Sequence, residues 1–144
     1  MMPERKTLEQ ARKAKREGKS PTTQAGAFVH EEIEHVREGK HGARSTKQAI
    51  AIGLSKARRA GIKLKPPRKG QASQRTRRSA EGAYRAGQSG MHKKPSARRS
   101  RAATRALKRE PRRAASRQAL SKQARSAARR RLLRRVRRRG SGPR

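Results

Sequence analysis

Only 15 of the 144 residues are Leu, Ile, Val or Phe, and this scarcity limits the hydrophobic core that the chain can build. A share of about a tenth, together with high net charge, is typical of disordered proteins rather than of large folded domains. Alanine supplies most of the other apolar residues, and it buries little area when it packs. The sequence therefore predicts at most a small helical module of about 60 residues, with marginal stability of its own.

The chain is strongly basic, with 44 Lys and Arg against nine Asp and Glu, which gives a net charge of +35. Residues 1–65 hold 16 of the cations, seven of the acids and most of the large apolar residues, whereas residues 66–144 hold 28 cations and two acids. We therefore predict a helical module at 1–65, a linker rich in Gly, Ser, Gln and Arg at 66–95, and a basic Ala/Arg-rich tail at 96–144.

Three glycines, Gly18, Gly39 and Gly61, mark the ends of three predicted helices in the module. Each glycine follows a helix-like stretch, and glycine just past the last helical turn adopts the left-handed conformation without steric cost. The predicted helices span residues 4–17, 22–38 and 46–60.

The predicted helix starts agree with these stops. The segments TLEQ at 7–10 and STKQ at 45–48 fit capping boxes. Pro21, followed by two threonines, fits the first turn of the second helix.

The second and third predicted helices carry faces that suit each other. The apolar face of the second helix contains Ala25, Phe28, Val29, Ile33 and Val36. In the third helix Ala49, Gly53 and Ala57 form a seam of small residues that permits close helix approach. We expect these two helices to pack together and to leave a basic face outward.

The pattern ends at Pro66 and Pro67, after which the composition is that of a linker or a disordered segment. Segments 96–109 and 112–139 have high helix propensity but no apolar face, and like charges four residues apart oppose helix formation. We expect coil in free solution and partial helix on phosphate. The predicted fold class is mostly α, with about three short helices followed by a largely disordered basic tail.

A cation surplus of this size predicts nucleic-acid binding, because cations that neutralise phosphates release counterions and gain affinity without a folded recognition site. Arginine predominates in the tail, which favours close phosphate contacts. In the module the predicted contacts are Lys47, Lys56, Arg58, Arg59, Lys63 and Lys65. In the tail they are Arg112, Arg113, Arg117, Lys122, Arg125, Arg129, Arg130, Arg131, Arg134, Arg135, Arg137, Arg138 and Arg139.

DNA is the partner that the composition favours. Proteins that bind RNA or single strands commonly stack bases on aromatic rings, and this chain has one Phe and one Tyr. We expect a non-enzymatic, histone-like, nucleoid-associated protein that neutralises and compacts DNA. An RNA- or ribosome-associated protein remains an alternative, as do a protein-binding scaffold and a binder of anionic membranes.

The remaining composition excludes several classes of site. There is no cysteine, and therefore no disulfide or thiolate metal site. No apolar run approaches the ~20 residues of a membrane span, and the opening MMPERKTLEQ does not resemble a secretory signal. We expect a cytoplasmic protein without a cofactor.

The segment HEEIEH at 30–35 superficially resembles a zinc-protease helix. That motif needs histidines four residues apart on one face, whereas His30 and His35 are five apart. We expect a surface helix with Glu31 beside His35, no metal site and no catalytic residue. The glutamates of this helix either pair with cations of the neighbouring helices or dock the basic tail until DNA competes.

The block REGKHGARSTKQAIAIGLSKARRAG at 37–61, with PERKT at 3–7 and SPTTQAGAFVHEEI at 20–33, resembles a family of small basic bacterial proteins of unassigned function. The resemblance covers about residues 1–65. It implies no catalytic residues and, at most, DNA binding. The tail is similar in composition to linker-histone tails and bacterial histone-like proteins, although it favours Arg over their usual Lys, Pro and Ala.

Overall fold

The computed structural model describes residues 2–90 and 94–140, which form six α-helices and no β-strand. The helices are α1 (Arg5–Arg16), α2 (Pro21–Arg37), α3 (Thr46–Arg59), α4 (Gln74–Ser89), α5 (Ala97–Lys108) and α6 (Arg117–Gly140). A 3₁₀ turn at Arg113–Ala115 joins α5 to α6. The expected mostly helical fold is confirmed, but the expected number of about three helices is wrong. Residues 1, 91–93 and 141–144 of the predicted segments lie outside the described residues.

The three helices predicted in the module are α1, α2 and α3, each within one residue at either end. Gly18, Gly39 and Gly61 end them with φ angles of 71°, 77° and 94°, in the left-handed region that favours glycine. Helix α2 begins at Pro21, with the Ser20 hydroxyl accepting from the Thr23 N–H at 3.3 Å. These local signals were sufficient to define the helix ends.

The capping signals at the other two starts had different outcomes. Helix α3 begins as predicted, since the Ser45 hydroxyl accepts from the Gln48 N–H at 3.2 Å. The capping box predicted at 7–10 is wrong, because α1 begins at Arg5, two residues before Thr7. Glu4 occupies the N-cap position without a side-chain cap, and its carboxylate instead accepts from His35 at 2.9 Å.

The predicted disorder of the tail is wrong, since α5 and α6 run through it and α4 occupies the predicted linker. Serine caps start all three helices. The hydroxyls of Ser73, Ser96 and Ser116 accept backbone N–H groups at 3.1–3.3 Å. A serine cap stabilises a helix by about 1 kcal/mol, whereas a like-charge pair four residues apart costs only ~0.2–0.5 kcal/mol. Caps and helix propensity therefore outweigh the repulsion.

Helix α2 is the centre of the fold, in contact with α1, with α3 and with the 3₁₀ turn. One core cluster joins Ala25 and Phe28 of α2 to Ala11 of α1, Ala57 of α3 and Ile62. A second cluster contains Ile33, Val36, Ala43, Ala49, Ala114 and Ala115. Small side chains form most of both clusters, so the helices lie close together around a small core.

The segment predicted to be a basic tail, residues 96–144, contributes side chains to the second core cluster. Ala114 and Ala115 of the 3₁₀ turn are buried in the second cluster, and Leu120 of α6 packs against it. The Thr46 hydroxyl donates to the Ala114 carbonyl at 2.6 Å, and the Ala43 N–H donates to the Pro111 carbonyl at 3.1 Å. These contacts position the start of α6 on the module.

Helices α2 and α3 approach each other closely at Gly53, as the seam of small residues predicted. A Cβ added at Gly53 would lie 2.7 Å from the Val29 Cα and 3.0 Å from the Phe28 carbonyl oxygen. Both neighbours are backbone atoms, which cannot rotate away. Any side chain at this position would therefore separate the helices.

None of the described helices is long and apolar enough to cross a membrane.

Replacing Gly53 by Ala should lower the free energy of unfolding by about 1–3 kcal/mol, because the added methyl group overpacks the α2–α3 contact. Gly26→Ala in α2 is the matched control, since nothing lies within 4 Å of its added Cβ. That substitution should stabilise the helix by up to about 1 kcal/mol. Urea denaturation followed by circular dichroism measures both changes. Equal effects of the two substitutions would contradict the close contact.

Candidate nucleic-acid interface

The residues predicted to contact phosphate divide into an exposed set and a buried pair. In the module Lys47, Arg59, Lys63 and Lys65 are exposed. All thirteen predicted cations of the tail, from Arg112 to Arg139, are exposed as well. Lys56 and Arg58 are buried, at 9% and 7% exposure.

Lys56 is directed into the fold. Its ammonium group donates to Glu32 of α2, whose side chain is fully buried. A carboxylate oxygen of Glu31 lies 3.9 Å from the same nitrogen. The charge of Lys56 is therefore neutralised inside the protein and is not presented to an outside ligand.

Arg58 is used in a similar way, with backbone acceptors in place of carboxylates. Its Nε–H donates to the Leu64 carbonyl at 3.1 Å, and its Nη2 donates to the Lys65 carbonyl at 3.4 Å. Burial lowers the pKa of Arg58. Arg58 therefore holds the segment that follows α3 against the end of that helix. Neither Arg58 nor Lys56 is available for an interface in this conformation.

Helix α6 carries eleven exposed Lys and Arg residues, more than any other described helix, and contains no Asp or Glu. Its 24 residues correspond to a length of about 36 Å. Leu120 holds the start of the helix against the core, whereas every residue from 128 to 140 is exposed. We call residues 125–140 the basic arm. Its arginines are Arg125, Arg129, Arg130, Arg131, Arg134, Arg135, Arg137, Arg138 and Arg139.

An open, shallow pocket lies at the base of α6, lined by Arg37, Arg112, Arg113 and Arg117. Two of these guanidinium groups are engaged within the fold. Arg37 donates to the Ala115 carbonyl at 3.0 Å, and Arg112 donates to the carbonyls of Val36 and Arg37. The hydrogen bonds of Arg37 and Arg112 attach the 3₁₀ turn to α2. All four arginines add positive charge at the start of α6.

The arm also carries an apolar patch, which consists of Leu132, Leu133 and Val136 at 62%, 55% and 60% exposure. On a helical wheel these three residues fall within about 100°. Arg129, one turn earlier, projects into the same arc. The patch is therefore small and interrupted by charge.

The glutamates of α2 lie in a different environment from the one that the sequence predicted. Glu31, Glu32 and His35 are buried, at 5%, 0% and 5% exposure, so the expected surface position is wrong. Glu31 does lie beside His35 as expected, with 3.7 Å between Glu31 Oε1 and His35 Nε2. One oxygen of Glu32 bonds Lys56, and the other lies 3.1 Å from His41 Nε2. Lys56 and His41, which are distant in sequence, therefore cover the glutamate face of α2, although a helical wheel shows this face as polar.

The outer glutamates pair with nearby cations. Glu34 accepts from Arg37 at 3.0 Å, and Glu38 pairs with Lys40 at 3.2 Å. Of the two roles expected for this acidic stripe, pairing within the module is therefore the one seen. The 3₁₀ turn docks on α2 through backbone carbonyls, and no arginine of α6 pairs with a glutamate of α2 in the described residues.

Glu4 connects the start of α1 to this region. Its carboxylate accepts from His35 at 2.9 Å and from Lys40 at 3.2 Å, and its backbone N–H donates to Glu31 at 3.1 Å. The hydrogen bonds from His35 and Lys40 lower the pKa of Glu4. Sequence reasoning missed this group, because Glu4 is 31 residues from His35 and only the fold brings them together.

Comparison with known proteins gives one family match. Residues 12–70 match the sequence profile of DUF6496, a family of unknown function. The match covers α2, α3 and the last five residues of α1, and it ends before α4. No curated protein and no solved structure matches the chain.

Replacing Lys56 by Met should lower the free energy of unfolding by about 3–5 kcal/mol, because the buried Glu32 carboxylate loses its cation. Arg5→Met is the matched control, since Arg5 pairs with Glu9 on the surface, at 94% and 63% side-chain exposure. Exposed pairs contribute little, so this variant should unfold like the wild type. Urea denaturation compares the two, and similar losses would contradict an interior role for Lys56.

Proposed function

We propose that this protein binds duplex DNA without sequence preference and without catalysis. Its main contact is the basic arm, and the exposed cations Lys47, Arg59, Lys63 and Lys65 of the module add a second contact. The observation that carries the proposal is the exposure of an acid-free arm, in which eight of the eleven residues 129–139 are arginine.

The charge density of the arm suits a phosphate backbone. A rise of 1.5 Å per residue distributes the eight arginines over about 16 Å. Duplex DNA carries one phosphate charge per about 1.7 Å of its axis, or roughly ten over the same length. Nearly one guanidinium group is therefore available for each phosphate, and guanidinium groups bind phosphate oxygens in a bidentate manner.

The helical form of the arm favours the major groove as its binding position. A helix with its side chains is about 10–12 Å wide, and the major groove of B-DNA is about 12 Å wide. Arginines on all sides of the helix would then reach phosphates on both strands. Such contacts fix position without reading the base sequence.

The same geometry favours DNA over RNA. The major groove of an RNA duplex is deep and narrow and does not admit side chains. Stacking on single-stranded bases needs aromatic residues. Phe28 is fully buried in the core, which leaves the half-buried Tyr84 of α4 as the one aromatic ring near the surface. Backbone contact with duplex DNA is therefore the mode that this chain is best equipped for.

Two separate basic surfaces also suit the bridging of DNA segments. The arm and the module each present exposed cations, and the module holds its own on α3 and in the segment that follows it. A protein of this kind compacts DNA by neutralising phosphates at two places. We therefore place it among histone-like, nucleoid-associated proteins.

The exposed apolar patch on the arm favours anionic membranes as a second candidate partner. Membrane-surface helices need an apolar face opposite their cations. The patch of Leu132, Leu133 and Val136 supplies a short one, but Arg129 interrupts it. Leakage of dye from anionic vesicles at protein concentrations that saturate DNA would favour this alternative.

The affinity of the full chain for duplex DNA should fall steeply with salt, with a slope of log affinity near −9 if about ten phosphates are engaged. Changing Arg130, Arg131, Arg134 and Arg138 together to Gln should reduce the slope by about 3–4, because each lost phosphate contact removes about 0.9. Fluorescence anisotropy at several salt concentrations measures both values.

The matched control removes the same charge from α1, by changing Arg12, Lys13, Lys15 and Arg16 to Gln. All four are exposed, and none belongs to the proposed interface, so the slope should change little. An equal loss in both variants would show that net charge alone acts, and absence of binding at physiological salt would refute the proposal. Tighter binding of structured RNA in parallel titrations would favour an RNA-associated role.

The shape of the arm can be tested without changing its charge. Ala128→Pro should weaken binding to duplex DNA, because an interior proline costs a helix about 3 kcal/mol and DNA would have to restore the straight arm. Ala128→Ser is the control and should bind as the wild type does. Anisotropy at a fixed salt concentration compares them, and equal affinities would indicate that the arm acts as a flexible polycation.

A further inference from the structure

The buried histidines of the module are arranged as ligands for a metal ion. We propose that Glu32, His35 and His41 form a site for one divalent transition-metal ion such as Zn²⁺. All three residues are at most 5% exposed, and their ligand atoms lie within 4.8 Å of one another. The inference is independent of DNA binding.

The hydrogen bonds of His41 leave one ring nitrogen directed at a carboxylate. Its Nδ1 lies 2.8 Å from the Gly42 carbonyl oxygen, which only accepts, so Nδ1 carries a proton. Its Nε2 lies 3.1 Å from Glu32 Oε2, which is also an acceptor. Both ring nitrogens of His41 therefore face oxygen acceptors, and a cation at Nε2, either a proton or a metal ion, satisfies the contact with Glu32 Oε2.

His35 repeats the arrangement from the other side. Its Nε2 donates to the Glu4 carboxylate at 2.9 Å. Its Nδ1 is buried and has no hydrogen-bond partner, and the nearest oxygen of Glu32 is 3.7 Å away. An unpaired buried acceptor is costly, and this one is directed toward the same carboxylate that His41 faces.

The outer hydrogen bonds are those that metal-binding histidines make. A ligating histidine commonly donates its remote N–H to a backbone carbonyl or to a carboxylate, which fixes the tautomer and the ring orientation. His41 has the Gly42 carbonyl in this role, and His35 has Glu4. The two rings are 6.1 Å apart and nearly perpendicular, at 83°, so they do not block each other.

The chemistry of the donors selects the ion. Two imidazole nitrogens and one carboxylate oxygen suit Zn²⁺ and its neighbours in the transition series rather than Mg²⁺ or Ca²⁺, which prefer oxygen ligands. Zinc bonds of ~2.0–2.2 Å place tetrahedral ligands roughly 3.4 Å apart. The His41 and Glu32 atoms, 3.1 Å apart, are already near this spacing. His35 would need to move inward by about 1 Å, and a water molecule would complete the coordination.

The Lys56 ammonium group does not compete for every donor. It bonds Glu32 Oε1, which is also the oxygen nearest to His35 Nδ1, while Oε2 faces His41. A metal ion bound by Oε2 and His41 would leave Lys56 paired, and His35 would have to turn toward Oε2 to reach it. A metal ion there would join α2 to the loop that carries His41. The same loop receives α5 through the Gly42 N–H, which donates to the Leu107 carbonyl at 2.8 Å.

The test is a titration of the full chain with Zn²⁺ after chelator treatment and dialysis. Calorimetry should give one site per chain, and Co²⁺ should give the visible absorption bands of a four-coordinate ion. Zinc should also raise the thermal midpoint, because it binds only the folded state. Absence of stoichiometric Zn²⁺ binding by the wild type would overturn the proposal.

Two variants and one control locate the site. His35→Gln should abolish the one-site isotherm, whereas His30→Gln, which changes the exposed histidine on the same helix, should leave it intact. Glu4→Gln keeps all three ligands and should weaken binding about 10–100-fold through the orientation of His35. Circular dichroism checks that each variant folds.

If His35→Gln does not fold, Glu4→Gln still tests the role of the His35 ring. Glu4 is half exposed, so its replacement should not prevent folding. Unchanged zinc affinity in Glu4→Gln, or a loss in His30→Gln equal to that in the other variants, would place the ion elsewhere and overturn the proposal.

Discussion

The Glu32 carboxylate is the interaction on which the module depends. Its side chain is fully buried, and it bonds Lys56 of α3 on one oxygen and His41 of the loop between α2 and α3 on the other. Removing charges from water costs several kcal/mol per ion, so the arrangement is stable only while its partners stay in place. Alanine and glycine seams bring helices close but specify their register weakly, and this directional cluster supplies the missing specificity.

The sequence predicts the local features of the module well, because their causes are local. Left-handed glycines, Ser45 and Pro21 define helix ends within a few residues of chain, and the small residue Gly53 predicts the close α2–α3 contact. The buried polar cluster was not predictable in this way. Lys56 is 24 residues from Glu32, and only the packing of α3 on α2 converts an apparently outward acidic stripe into an interior one.

In the basic region at residues 96–144, the sequence predicts the exposed charge but not the helical structure. Its charge, its exposure and its lack of acids follow directly from composition, and thirteen of its predicted contact residues are indeed exposed. Its helical form did not follow, because repulsion between neighbouring arginines was weighted above the serine caps and the helix propensity. The anchoring of Ala114, Ala115 and Leu120 in the core depends on tertiary contacts that no charge pattern reveals.

Helix α6 thus serves two separate demands along its length. Its first turns are held by the core through Leu120, whereas every residue from 128 to 140 is exposed. Substitutions near the start of α6, such as at Leu120, must fit the space beside the second core cluster. Substitutions further along are constrained only by helix propensity and charge. Sequence drift can therefore alter the number and spacing of arginines in a lineage without any compensating change in the folded module.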